Sequence, residues 1–107
     1  MTRLLDTTGP LDLAPLEADT VRDGTPRAGS RALTTIGETE VGVWEMTTGT
    51  ATDVETDEVF VVLSGSGEVT FADGETIALS PGVTVRLQAG EHTVWRVEET
   101  LRKVYLA

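Results

Sequence analysis

Four carboxylates crowd one short stretch of the chain, Asp53, Glu55, Asp57 and Glu58. Clusters of that kind can hold a hard cation or pass a proton, but this one lacks the spacing of a calcium loop. The run therefore reads as a solvated strand edge, where charge discourages edge-to-edge pairing. Glu58 has a second context, because period two places Phe60 and Val62 on its face and Val59, Val61 and Leu63 on the other. Near the end of the chain Lys103 and Tyr105 share a strand face, while the adjacent Trp44 and Glu45 must point to opposite sides. A desolvated lysine can neutralise an acid, act as a base or bind an anion, whereas on an ordinary strand it snorkels to solvent. No phosphate-binding glycine loop, dinucleotide fingerprint, Gly-x-Ser-x-Gly elbow or His-Glu-x-x-His helix is present. The absence of cysteine removes thiolate ligands, disulfides and a cysteine nucleophile together.

Those residues have to be positioned by one small domain, since 107 residues support a single hydrophobic core. Thr and Val supply 31 of them, and such β-branched side chains fit a pleated sheet better than a helix. The formal net charge is -10, and no Lys or Arg stands between Arg31 and Arg86, where ten acids fall. Such a surface repels phosphate backbones, which argues against nucleic acid as a partner and is otherwise read as a solubility device. No stretch has the length and apolarity of a signal-peptide core or a membrane span, so the expectation is a cytoplasmic protein with no membrane partner.

Residues 1–30 carry three of the four prolines, Pro10, Pro15 and Pro26, with no sustained helical period, and read as an extended arm. Such an arm either packs along its own barrel or pairs with a neighbouring subunit. From residue 31 to 107, apolar segments alternate with turn signals in the rhythm of a sandwich or barrel. The predicted strands are 32–36, 40–47, 57–63, 67–71, 75–79, 83–88, 92–98 and 102–106. Between them Ser64-Gly65-Ser66-Gly67, Asp73-Gly74, Ser80-Pro81-Gly82 and Ala89-Gly90 read as turns, with Asp73-Gly74 at the tip of the clearest hairpin. The fold class is all-β, and about eight short strands hide their edges best by closing into a barrel.

Glu58-Val-Phe-Val-Val-Leu-Ser-Gly65, followed by Asp73-Gly74, Pro81-Gly82 and Ala89-Gly90, resembles the two motifs of the cupin superfamily. Val43-Trp44-Glu45 and the ending Thr93 to Tyr105 look like the small stand-alone cupins related to the (S)-ureidoglycine aminohydrolase domain. The resemblance implies a cupin-type double-stranded β-barrel, or jelly roll. It also implies that Glu58 points inward and that Lys103 and Tyr105 match a recurrent Lys and Tyr. In that superfamily a His-x-His pair precedes the glutamate by three or four residues and a further His follows the second motif. Here those places hold Thr52 and Val54, or Ala51 and Asp53, and then Thr93. The sole histidine, His92, stands one place early, and on a strand a slip of one turns the ring to the other face. Glu58, with Asp53 as a second carboxylate, falls short of the convergent ligand set that Zn, Fe or Mn requires. The expected metal complement is therefore none.

With Glu58 inward, Phe60 shares its face, and Thr93, Trp95 and Val97 line the facing strand. Either these aromatics fill the barrel, or they wall a ligand pocket made of Glu58, Phe60, Trp95, Lys103 and Tyr105, with Glu45 as a further candidate. The expected function is binding of a small molecule at a degenerate metal site, by a homodimer. The alternative is an enzyme resembling ureidoglycine aminohydrolase, acting on a small nitrogen compound or carboxylate with Glu58 and Lys103 as acid and base.

Overall fold

The computed structural model describes residues 3–107, so Met1 and Thr2 at the start of the arm lie outside the described residues. Nine strands follow in order: β1 (Ala14–Pro15), β2 (Val21–Asp23), β3 (Arg27–Ile36), β4 (Thr39–Met46), β5 (Gly49–Val54), β6 (Glu58–Phe71), β7 (Thr76–Leu79), β8 (Thr84–Leu87) and β9 (His92–Leu106). One 3-10 turn, Ala18–Thr20, separates β1 from β2. All pairings are antiparallel, in the order β1-β3-β4-β9-β5-β2, with β6 joined to β9, β7 and β8. The fold is the curled all-β jelly roll of cupin-type barrels.

Two long strands organise it. β9 pairs with β6 along one side, and on its other side with β5 through residues 92–97 and β4 through residues 101–106. Both long strands bend where the pairing slips between Val62 and Gly67. Ser64-Gly65-Ser66-Gly67 is thus no turn but the corner of β6, and 57–63 and 67–71 belong to one strand. Glycine is needed there because β9 crosses so closely: Gly65 has φ 90°, and a Cβ on it would run into the Thr100 carbonyl. The segments 92–98 and 102–106 fuse in the same way into β9. Strand β5, which the sequence reading left between strands, pairs with β2 on one side and β9 on the other. The tip at Asp73-Gly74 lies where expected, between the paired residues Thr70 and Thr76.

Within this chain the arm packs along its own barrel. It adds β1 to β3 and β2 to β5, and β3 runs across the position where the sequence places the arm's end. Arg102 donates to the carbonyls of Thr7 and Gly9 at 2.9 and 2.7 Å, and Arg31 to those of Asp6 and Pro10. The core is the inward-facing period of the long strands: Phe60, Val62, Val69, Trp95, Val97 and Leu101 are all buried. Removing such residues from water supplies the main stabilising force, at roughly 25 cal/mol per Å² of apolar surface.

Candidate functional site

The core does not fill the barrel. Above Phe60 and Trp95 an open-mouthed cavity of about 420 Å³ remains, with Trp44, Asp53, Glu55, Glu58, Lys103 and Tyr105 in its wall. Four strands supply these side chains, each by the alternation of a pleated strand. β4 turns Trp44 inward, β5 and the residue just beyond it bring Asp53 and Glu55, β6 opens with Glu58, and β9 contributes Trp95, Lys103 and Tyr105. The arm closes one side through Leu16, Glu17 and Thr20.

Lys103 lies inward and its ammonium sits 2.7 Å from Glu58 Oε2, with both side chains mostly buried. It is also surrounded by rings, 4.4 Å from the Phe60 centroid, 4.7 Å from Trp44 and 4.8 Å from Trp95. The negative faces of the rings and the carboxylate together compensate a charge taken out of water. Leaving either charge buried without its partner would cost about 3–5 kcal/mol.

Trp95 is a second node. Its ring packs against Trp44 and Phe60 at centroid distances of 5.6 and 5.4 Å. Its indole N–H donates to Glu55 Oε2 at 3.0 Å and to Thr93 Oγ1 at 3.1 Å, while the Thr93 hydroxyl donates to the same Glu55 oxygen at 2.6 Å. Glu55 is 8 % exposed. This corrects in part the reading of the acid run as a solvated edge: Asp53 and Asp57 are exposed, whereas Glu55 and Glu58 are drawn inward by Thr93, Trp95 and Lys103 of β9. At Asp57 the Ala89 N–H and then the Arg86 guanidinium hold the carboxyl below the usual range. Asp53 is shifted the other way, raised first by desolvation and then by the charge of Glu55.

Of the residues singled out in the sequence, Glu58, Trp95, Lys103 and Tyr105 line the cavity and Phe60 lies beneath it against the lysine. Tyr105 packs over Gly42, where a Cβ would strike its ring, and donates its hydroxyl to Glu40 Oε2 at 2.6 Å. Glu45 does not belong to the cavity. Because Trp44 faces inward, Glu45 faces out and binds Arg102 at 2.9 Å, beside the carbonyls of the arm. Glu55, Glu17 and Thr20 were missed as pocket residues. The arm residues carry no local signal, but the inward period through Ala51 and Asp53 could have pointed to Glu55.

The cupin fold implies a metal position, and the donors here do not fit one. Glu58 is committed to the Lys103 ammonium, and Glu55 Oε2 is committed to Thr93 and Trp95. Among the described residues no three His, Asp or Glu side chains converge as a ligand shell would. His92 is exposed on the opposite face of β9 from Thr93, beside a separate surface depression.

Barrel and site together define the class: a cupin with a buried Glu58–Lys103 ion pair in its cavity wall. In particular, residues 33–105 match the EutQ-like cupin domain, and the chain belongs to that family. Similar solved structures include the EutQ protein of Clostridium difficile, with a TM-score of 0.68 and 20% identity, covering 90% of this chain and 79% of that one. A protein of unknown function from Pseudomonas syringae pv. tomato has a TM-score of 0.80 at 21% identity, over 95% of this chain but 46% of its own length. The ectoine synthase of P. lautus has a TM-score of 0.63 at 22% identity, over 86% of this chain and 66% of that one. No curated protein matches the sequence. These likenesses support the barrel and the cupin superfamily; they do not carry the finer resemblance to the ureidoglycine aminohydrolase domain.

Proposed function

We propose that this chain is a small-molecule-binding cupin whose ligand occupies the cavity above Phe60 and Trp95. The observation that carries this reading is the lining itself. Trp44 and Trp95, with the Glu58–Lys103 pair against their rings, line about 420 Å³ of open space, within the usual size range of small-ligand sites. A barrel merely filled by its aromatics would leave no such space and would have little use for a buried acid. Glu58→Gln keeps the shape and an acceptor for Lys103 but removes the charge. It is expected to change the affinity of any cavity ligand at least tenfold. Trp95→Ala removes a wall and a core ring together and should lower stability by about 3–5 kcal/mol. If Glu58→Gln is neutral toward every ligand found by thermal-shift screening, and Trp95→Ala leaves Tm unchanged, the site has been misassigned.

One observation favours a second reading, that of an enzyme resembling ureidoglycine aminohydrolase. The 2.7 Å Lys103–Glu58 contact is short enough to pass a proton, so the two could serve as acid and base on a small nitrogen compound or carboxylate. The ectoine synthase neighbour shows only that this barrel is compatible with catalysis. Turnover of such compounds abolished by both Glu58→Gln and Lys103→Met would establish that reading. Residence in the cytoplasm and assembly as a homodimer complete the proposal. Cell fractionation tests the former, and the latter is taken up in the Discussion.

A further inference from the structure

The cavity's charges are unequal. Glu17, Asp53, Glu55 and Glu58 line it, against Lys103 as the one cationic side chain, and that charge is already matched by Glu58 at 2.7 Å. Glu55 is the most informative group. Both of its hydrogen bonds, from Thr93 and Trp95, go to Oε2, and Oε1 has no donor among the described residues although the residue is 8 % exposed. That oxygen is not sealed away, because among the described residues no fully buried side-chain polar atom lacks a partner, and Glu55 lines the cavity. An accessible carboxylate oxygen without a protein donor can accept an N–H brought by a ligand in place of water.

Asp53 adds to the demand. It stands exposed two residues before Glu55, lines the same cavity, and among the described residues accepts only the N–H of Val54 on Oδ1. Its carboxyl is raised by desolvation and by the neighbouring Glu55 charge, a tension that an incoming positive charge removes. The walls suit the same occupant: Lys103 already shows an ammonium resting among ring faces at 4.4 to 4.8 Å, and Trp44 and Trp95 also border the open space. An anionic ligand would meet the excess carboxylates and reach Lys103 only by breaking its bond to Glu58. A bare Mg²⁺ or Ca²⁺ requires six or more oxygens and would leave the indole wall unused.

We propose that the cavity takes a small organic cation, a primary ammonium or amidinium on a compact apolar body, which donates its N–H groups to Glu55 Oε1 and Asp53. The inference rests on the binding reading and names the ligand class of that site.

The test follows the two indole N–H resonances of the chain, which has only Trp44 and Trp95, during titration with benzylamine, benzyl alcohol and phenylacetate at pH 7. Benzylamine is expected to shift the Trp95 signal saturably and to bind at least tenfold more tightly than phenylacetate. Asp53→Asn should weaken benzylamine binding at least tenfold. The same change should leave Tm at pH 7 the same or higher, because the fold disfavours the ionised form of this carboxyl, so lost binding cannot be ascribed to unfolding. Glu55→Gln should weaken benzylamine binding as well. Phenylacetate binding more tightly than benzylamine, or Asp53→Asn leaving benzylamine affinity unchanged, overturns the cation assignment and leaves the binding cavity standing. If none of the three compounds moves either indole signal, both readings fall.

Discussion

Tyr105 is the only tyrosine in the chain, so its ionisation can be followed by ultraviolet absorbance without interference. Burial first, and then the hydrogen bond to the Glu40 carboxylate, push its phenol from 10.0 up to about 12. The fold thus prefers the neutral ring: the associated stability is complete below pH 10 and is lost as pH climbs through about 12. An alkaline titration is expected to have its midpoint near 12, and Glu40→Gln should bring it only part of the way back, since burial is the larger cause. A midpoint near 10, with circular dichroism still native, would mean that the ring does not pack over Gly42 as described. Lys103 belongs to the same scale. Its side chain follows the inward alternative and not the snorkelling one, because Glu58 and three ring faces together replace the water it gives up.

At the scale of elements, the corner of β6 is the feature most exposed to a single substitution. Gly65 combines φ 90° with a close approach to Thr100, so Gly65→Ala meets both backbone strain and a collision with a carbonyl. It is expected to cost more than about 2 kcal/mol in denaturant unfolding, since either effect alone is worth on the order of 1–3 kcal/mol. Gly74→Ala, at a φ of 92° with nothing near its Cβ, should cost less, and equal losses would refute the close crossing of β6 and β9. These glycines also mark where the sequence stops being legible. Gly-rich tetrapeptides signal turns and strand corners alike, and only the partner strand decides between them. The alternation that identified β6 and β9 correctly placed Phe60, Val62, Thr93, Trp95 and Val97 inward. It said nothing of Glu17 and Thr20, whose place in the cavity wall depends on where a proline-rich arm docks. The acid run was legible only in part for a related reason: charged residues at period two describe a solvated edge, which Asp53 and Asp57 keep, but Glu55 lies just past the end of β5 and its inward place depends on Thr93 and Trp95 of β9.

At the scale of the molecule, the outer face of the two long strands carries an apolar strip. Val59 and Val61 of β6 sit beside Leu106 and Val104 of β9, and Leu63 and Leu106 are each 36% exposed. The proposed homodimer buries this strip against its symmetry-related copy. Light scattering at tens of micromolar should then give twice the chain mass of 11.4 kDa, and Leu63→Glu should reduce it to one. The mass of a single chain for the unaltered protein would remove the proposal.

The bonds that tie Arg102 to the carbonyls of Thr7 and Gly9 join residues 95 and 93 positions apart, near opposite ends of the chain. Closing a loop of that length loses most of its entropy before any contact is gained, so such contacts form late unless something local brings the ends together. Arg102 and Glu45, which meet across the β4–β9 pair, must be assembled before the arm has anything to dock on. The wall formed by Leu16, Glu17 and Thr20 is then the last part of the cavity to arrive during folding. By the same logic it is the first to leave when the native state opens locally. Undocking of the arm, which also requires the short β1–β3 and β2–β5 pairs to part, is then the local opening expected to admit and release a ligand while the barrel stays folded.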